Sequence, residues 1–305
     1  MSKNLATLIG FSAILQWSAI VGLLKKISFS IGADLAVTCM YSFSAVILLL
    51  MFRIPNLKLI PKPYLIFATL LFVVYELCFS YAIALAQSAQ QAIEISLVNY
   101  LWPSMTIIAL ILFKEVKFNP FVIVGLAVSL GGIVLIQTGN GNFSWSTIFN
   151  NIQQNPVSYI LALAGAFLWS LYCVITRKYS QGHNPIALFF VVITIVLWAK
   201  MLLLQGVPKF PSIEPNILIY MLLVSVVTAL GYAAWNIGII QGNIAILVAL
   251  SYFSPIFSTL ISMTILQTSL PVEFWHGVLL VTGGSLICWI STNWQQIKER
   301  IFPVA

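Results

Sequence analysis

Apolar residues occur along this chain in long, nearly uninterrupted runs that are separated by short polar connections. Most runs are about 18 to 25 residues long, which as a helix is enough to cross a hydrocarbon core about 30 Å thick. Strands in lipid would instead give short segments of alternating polarity, so the pattern predicts helices. Ten spans are predicted, and they cover Leu5–Leu24, Leu35–Phe52, Tyr64–Leu85, Ala92–Phe113, Phe121–Ile136, Ser158–Ile175, Pro185–Leu204, Ile217–Ile240, Ile244–Leu266 and Val272–Thr292.

Composition places the chain in the lipid bilayer. Of its 305 residues, 61% are hydrophobic and only 7% are charged. So few polar side chains are not enough to cover the surface of a water-soluble globule. We therefore predict an all-α membrane protein.

Several short signatures occur twice, and the second copy of each lies 152 residues after the first. Matching copies at one fixed separation indicate that a single unit has been duplicated almost without insertion. The repeated pairs are Trp17-Ser18 and Trp169-Ser170, Tyr100–Pro103 and Tyr252–Pro255, and Gly131-Gly132 and Gly283-Gly284.

The duplication divides the chain into two halves of similar size. We predict a first repeat over residues 1–138, an extracytoplasmic linker over 139–156, a second repeat over 157–294 and a polar tail over 295–305. Each repeat holds five spans, an odd number, so the second copy must enter the membrane from the opposite side. Inverted five-helix repeats with prolines at matching positions are typical of secondary transporters, which predicts movement of a small molecule by alternating access.

The distribution of basic residues predicts the orientation. Ten of the fourteen fall on one side of the predicted spans, and only Lys25, Lys26, Lys200 and Lys209 lie on or near the other. By the positive-inside rule both termini are then cytoplasmic. The net charge of +7 is explained by this bias, and no nucleic-acid partner is expected. The ten are Lys3, Arg53, Lys58, Lys62, Lys114, Lys117, Arg177, Lys178, Lys298 and Arg300.

Prolines interrupt the fourth and ninth spans at equivalent positions. Pro103 removes a backbone donor and frees the carbonyl of Asn99, and Pro255 does the same to Ser251. A free carbonyl is costly in lipid, so we expect both kinks to face a partner helix or a wet cavity. The alternative is that they are packing kinks tolerated by neighbouring helices.

Polar residues lie along single faces of four spans when they are placed at helical spacing. Because a polar face is costly toward lipid, we expect these faces to meet at a central, water-accessible cavity. The faces are Ser12, Gln16 and Trp17; Glu76, Ser80 and Gln87; Gln91, Glu94, Asn99, Trp102 and Thr106; and Thr228, Tyr232, Trp235 and Asn236.

Two acids are candidates for function. Glu76 is placed deep within a span, where an acid either binds a substrate ammonium or carries a coupling proton. Glu94 lies near the start of its span and is a second coupling candidate. Each has a structural alternative: Glu76 as an acid hydrogen-bonded to a neighbouring helix, and Glu94 as a partner of the helix dipole.

Aromatic residues cluster around the duplicated motifs. They suit stacking on a planar substrate or contact with its ammonium, although core packing explains any single one equally well. This set comprises Trp17, Tyr81, Tyr100, Trp102, Trp169, Trp235 and Tyr252. The glycines of the fifth and tenth spans are instead expected to pack helices closely, and they are Gly125, Gly131, Gly132, Gly277, Gly283 and Gly284.

Other chemistries lack their sequence signals. The chain has no phosphate-binding loop, and its spans hold no paired metal ligands and no arrangement of catalytic side chains, so we expect neither an enzyme nor a bound metal or cofactor. No span interior carries Arg or Lys, which an anionic cargo would require. This favours a neutral, zwitterionic or cationic small molecule.

The order of motifs resembles that of the YddG-type aromatic amino acid exporters in the EamA branch of the drug/metabolite transporter superfamily. It is carried by Leu15–Ser18, Tyr75–Cys78, Gln91–Glu94, Val98–Ser104, Gly231–Asn236 and Ser251–Pro255. The resemblance implies a ten-span inner-membrane protein that moves phenylalanine, tyrosine and tryptophan outward, with other amino acids or organic cations such as paraquat as further cargo.

On this basis we expect a monomer with one central site. The substrate ring would stack on Tyr100, Trp102 and Trp169, while Asn99, Asn236 and the freed carbonyls bind its polar end. Two alternatives stay open, namely a multidrug or organic-cation exporter of the same architecture and a membrane receptor or scaffold that binds a ligand without moving it.

Overall fold

The computed structural model describes residues 1–52, 56–114, 118–137, 145–208, 214–242, 247 and 250–301. Part of the predicted linker, the start of the ninth span and the end of the tail therefore lie outside the described residues. So do Arg53, Lys117 and Lys209, three of the residues used to predict the orientation.

Every regular element of the described residues is a helix. A short 3-10 turn at Leu57–Leu59 lies between the second and third helices. The α-helices are α1 (Lys3–Ile31), α2 (Ala33–Met51), α3 (Lys62–Ala84), α4 (Ala89–Asn99), α5 (Trp102–Leu112), α6 (Phe121–Gln137), α7 (Trp145–Gln154), α8 (Pro156–Tyr179), α9 (Ile186–Gln205), α10 (Pro215–Gln241), α11 (Ser254–Leu266) and α12 (Val272–Ile301).

Local sequence explains where several of these helices begin. The side chain of Ser2 accepts a hydrogen bond from the backbone N–H of Leu5 at the start of α1, and Asn155 accepts one from Ser158 at the start of α8. Both bonds satisfy backbone donors that have no partner in a first helical turn. Between α1 and α2 the chain turns at Gly32 alone, whose φ of 83° is a conformation that glycine adopts without strain.

Eight helices within the described ranges are long and apolar enough to cross a membrane, counting α4 and α5 together as one segment from Ala89 to Ala109. Two shorter apolar helices, Phe121–Ile136 and Ser254–Leu266, lie where the fifth and ninth spans are predicted. The prediction of an all-helical, multi-pass membrane protein is thus confirmed. The count of ten spans and their inversion stay predictions.

Helix α7 lies within the predicted linker. Its sequence alternates apolar and polar residues at helical spacing, and Phe149 and Ile152 are exposed. Gln87 ties the end of this helix to the bundle, because its side chain donates a hydrogen bond of 2.9 Å to the carbonyl of Gln154.

The helices pack in pairs that follow the 152-residue repeat. The most extensive contacts join α1 to α10, α3 to α8, and α6 to α12. A shift of 152 residues carries α1 onto α8 and α3 onto α10, so the first two pairs are equivalent in sequence, and it carries α6 onto α12. Helices of the first half therefore pack directly against helices of the second half, and the two halves do not pack as separate units.

Glycines bring α6 and α12 into close contact. A Cβ atom built on Gly132 would lie 2.7 Å from the carbonyl oxygen of Gly277, and one built on Gly277 would lie 2.7 Å from that of Gly132. Gly125 and Gly284 approach each other in the same way. Close packing is confirmed for these four glycines, because neither helix could approach so closely with a side chain at these positions.

The prediction of close packing is wrong for the remaining two glycines, Gly131 and Gly283. A Cβ atom on either would meet no other atom within 4 Å. Successive residues of a helix point in directions about 100° apart, so only one member of each Gly-Gly pair can face the partner helix.

We predict that Gly132→Ala lowers the free energy of unfolding by about 1–3 kcal/mol, because the added methyl group overpacks the contact with α12. Gly131→Ala is the matched control, and it should leave stability unchanged or raise it by about 0.5–1 kcal/mol. Chemical unfolding in detergent micelles measures both. Equal effects of the two substitutions would contradict the proposed packing.

Candidate functional site

A cavity lies among α1, α2, α3, α4, α5, α8, α10 and the segment that leads into α11. Its empty volume is about 640 Å³, part of which is open to solvent. Ligand pockets are typically lined by apolar and aromatic side chains with a few polar groups, and the lining of this cavity has that composition.

Aromatic side chains form much of the cavity wall around Trp169. The rings of Trp17 and Trp102 each stand nearly perpendicular to that of Trp169, with centroids 6.3 Å away in both cases, and Tyr75 lies at 4.6 Å. Edge-to-face contacts of this kind stabilise aromatic pairs by about 0.5–1.5 kcal/mol beyond the burial of area. The wall is therefore rigid and offers ring surfaces to a planar molecule.

Glu76 lies on the same cavity and is buried. The hydroxyl groups of Tyr41 and Tyr232 donate hydrogen bonds to its two carboxyl oxygens, one to each. The Tyr41 hydroxyl is also 2.9 Å from the hydroxyl of Ser80. Since Tyr41 belongs to α2 and Tyr232 to α10, this one carboxyl group links α3 to two other helices. These bonds favour the structural alternative for Glu76 while leaving it in contact with the cavity.

The fourth and ninth spans both break just before their prolines, and both breaks face the cavity. Helix α4 ends at Asn99 and α5 begins at Trp102, while α11 begins at Ser254, three residues after Ser251. All four of these residues line the cavity. The amide nitrogen of Asn99 donates a hydrogen bond of 3.0 Å to the carbonyl of Ala162, which anchors the first break against α8.

Several predicted site residues thus meet at one place. The cavity lining contains Trp17, Glu76, Asn99, Tyr100, Trp102, Trp169 and Tyr232. Five other predicted residues are not among the described residues that line the cavity, namely Tyr81, Glu94, Trp235, Asn236 and Tyr252.

Tyr81 and Asn236 are engaged elsewhere. The hydroxyl of Tyr81 donates a hydrogen bond of 2.6 Å to Asp34, which also pairs with the ammonium of Lys200. The amide of Asn236 donates to the side chain of Asn184, at 2.9 Å. Tyr81 therefore links α3 to α2 away from the cavity, and Asn236 links α10 to the loop before α9.

The other three residues lie close to the cavity wall without forming it. The Trp235 ring centroid is 5.1 Å from that of Trp17, so it packs behind that side chain. Tyr252 is buried at the second helix break. Glu94 accepts hydrogen bonds from Gln90 at 2.9 Å and from Tyr159 at 3.4 Å, and thus ties α4 to α8.

Sequence analysis placed Thr228 on a polar face expected to meet the cavity and used the freed carbonyl of Ser251, but it gave no role to the side chains of Thr228, Ser251 and Ser254, and all three residues line the cavity. The repeat contains the signal that would have found them. A shift of 152 residues carries Glu76 onto Thr228, Asn99 onto Ser251 and Trp102 onto Ser254. Helical spacing is the signal for Tyr41, because Asp34, Thr38, Tyr41 and Ser42 share one face of α2, a face that the sequence analysis did not use.

The chemistry of the lining is polar but nearly free of charge. Glu76 is the one acidic residue among the described residues that line the cavity, and neither Lys nor Arg is found among them. Within the described ranges, no group of three or more His, Cys, Asp or Glu side chains is arranged to hold a metal ion. This arrangement can bind an aromatic ring and a few hydrogen-bonding groups.

Comparison with known proteins gives matches over nearly the whole chain. Residues 156–290 match the EamA-like transporter family. The chain is 40% identical to the aromatic amino acid exporter YddG of Escherichia coli (strain K12) over 96% of its length and 99% of that protein. It is 36% identical to the protein of the same name from Salmonella typhimurium (strain 14028s / SGSC 2262), with the same coverage of both chains.

The fold is similar to that of a solved crystal structure. It superposes with a TM-score of 0.67 at 21% sequence identity, and the match covers 95% of this chain and 98% of that one. At this level of identity the similarity shows a shared fold and carries no information about the ligand.

We predict that Tyr232→Phe lowers the free energy of unfolding by about 1–3 kcal/mol, because it leaves one oxygen of the buried Glu76 without its donor. Tyr179→Phe is the matched control, since Tyr179 is exposed. In a Glu76→Met background the effect of Tyr232→Phe should shrink, because the acceptor of this hydrogen bond is already absent. Chemical unfolding of the four variants in detergent tests this, and full additivity would argue against the link.

Proposed function

Because this chain belongs to the EamA-like transporter family, among its YddG-type members, we propose that it exports aromatic amino acids across the inner membrane by alternating access. Its YddG relatives are named aromatic amino acid exporters, and one is 40% identical over nearly the full length. The observation that carries the proposal is the cavity wall of Trp17, Trp102 and Trp169, which suits phenylalanine, tyrosine or tryptophan.

The proposed architecture is ten spans in two inverted five-helix repeats, residues 1–138 and 157–294, joined by the linker 139–156 and followed by the tail 295–305. The equivalence of the α1–α10 and α3–α8 pairs supports this arrangement. Both termini are then cytoplasmic. Rocking of the repeats around the cavity would expose it to each side of the membrane in turn.

The proposed partners follow from the same function. The protein acts as a monomer in the lipid bilayer, takes an amino acid as its small-molecule substrate and binds no nucleic acid. It is a transport protein rather than an enzyme and requires no metal or cofactor.

Transport of radiolabelled tryptophan by the purified protein in liposomes tests the proposal. Tryptophan should accumulate across the membrane and should be displaced by phenylalanine and tyrosine. Displacement by bulky organic cations without any effect of amino acids would instead identify a multidrug exporter. Binding without movement of the label would identify a receptor or scaffold.

We predict that Trp102→Ala lowers the rate of tryptophan transport at limiting substrate by about 2- to 12-fold, the range that corresponds to loss of one aromatic contact. Trp294→Ala is the matched control, because Trp294 is exposed at the far end of α12. Both variants should be recovered as folded protein, and Trp102→Ala should lower the unfolding temperature slightly because it removes the ring contact with Trp169. Unchanged kinetics of Trp102→Ala would remove this residue from the proposed site.

Glu76 is the proposed coupling residue, because it lines the cavity and Glu94 does not. If Glu76 carries a proton, Glu76→Gln should abolish the dependence of transport on a pH gradient, and Glu94→Gln should preserve it. Tryptophan flux with and without an imposed gradient measures this. A gradient response that survives Glu76→Gln would show that this residue is not the proton carrier.

A further inference from the structure

Two side chains in the cavity lining carry a buried polar atom that has no hydrogen-bond partner among the described residues. These atoms are the indole Nε1 of Trp17, on α1, and the hydroxyl oxygen of Thr228, on α10. Thr228 is only 1% exposed. A buried polar group without a partner carries a desolvation cost that nothing offsets, so its presence in a cavity indicates a group that is held ready for a ligand.

Thr228, Thr259 and Thr282 are buried threonines whose hydroxyl groups have no partner among the described residues, and of these three only Thr228 lines the cavity. Thr38, Thr69 and Thr106 each donate a hydrogen bond to the carbonyl four residues earlier, at 2.6 to 2.8 Å. A threonine in a membrane helix normally satisfies its hydroxyl group in this way. In α10 the side chain of Thr228 does not do so.

The hydroxyl of Thr228 and the indole nitrogen of Trp17 both lie at one face of α10. Gly231 follows Thr228 by three residues, which places it about one turn further along that face. A Cβ atom built on Gly231 would lie 2.8 Å from Nε1 of Trp17. The absence of a side chain at Gly231 therefore lets the indole N–H approach α10 beside Thr228.

The chemistry of these atoms fits a carboxylate. An indole N–H can only donate a hydrogen bond, and a threonine hydroxyl can donate one as well. No Lys or Arg is found among the described residues that line the cavity, so a substrate carboxylate has to be bound there by neutral donors. The negative end of the site is Glu76, whose equivalent under the repeat is Thr228 itself.

We propose that the indole N–H of Trp17 and the hydroxyl of Thr228 form the subsite that binds the carboxylate of the substrate, while Glu76 faces its ammonium group. This inference rests on the proposed function and specifies its substrate class. The two equivalent positions of the repeat then bind the two opposite charges of one zwitterion. The subsite distinguishes an amino acid from an amine with the same ring.

Binding of tryptophan and of tryptamine, which lacks the carboxylate, tests the subsite. Thr228→Val replaces the hydroxyl by a methyl group of similar shape and should raise the Kd for tryptophan about tenfold or more while leaving that for tryptamine unchanged. Thr228→Ser keeps the hydroxyl and should bind tryptophan like the unmodified protein. Thr282→Val is the matched control, since Thr282 is also buried and without a partner but lies outside the cavity lining.

Trp17→Phe provides a second variant that removes the N–H group and keeps an aromatic ring. It should lose affinity for tryptophan more than for tryptamine. The smaller ring weakens contacts with both ligands, so the ratio of the two affinities is the informative quantity.

Unfolding without ligand separates this role from a structural one. Because Thr228→Val removes an unpartnered polar group, its unfolding temperature should equal or exceed that of the unmodified protein, and tryptophan should raise it less. Equal losses for tryptophan and tryptamine, or an unchanged affinity for tryptophan, would overturn the subsite. If the unmodified protein binds neither ligand, the proposed function itself fails, and that result does not depend on the variants.

Discussion

The structure depends on supplying a buried acid with hydrogen-bond donors where water is absent. Glu76 shows this most clearly, because its two carboxyl oxygens accept hydrogen bonds from Tyr41 and Tyr232. An acid placed among apolar helices without such donors would be strongly destabilising. The three helices that meet here, α2, α3 and α10, also border the cavity, so the interaction that secures the fold also shapes the site.

The duplication gives the site its symmetry, and later divergence gives it its polarity. Asn99 and Ser251 occupy equivalent positions at the two helix breaks, and both line the cavity. Glu76 and Thr228 are also equivalent, yet one is an acid and the other a neutral hydroxyl. Under the proposed function this difference matters, because a zwitterionic substrate has unlike ends and a fully symmetric pocket would not distinguish them.

Aromatic packing and polar recognition are separated within the cavity. Trp169 is held by contacts with Trp17, Trp102 and Tyr75, so the rings of the aromatic wall support one another. Preorganisation of this kind reduces the ordering that binding would otherwise require. The few polar atoms without partners then add selectivity, which depends on the placement of single groups rather than on buried area.

The sequence by itself determined the helices, their apolar lengths and the breaks before Pro103 and Pro255, because these follow from local composition and from the backbone chemistry of proline. It also placed Glu76 and Trp102 on polar faces through helical periodicity. Only the tertiary structure decided how each helix is rotated against its neighbours. That rotation turns Tyr81 toward Asp34, pairs Asn236 with Asn184 and brings Tyr41 to Glu76, since such contacts depend on residues far away in the chain.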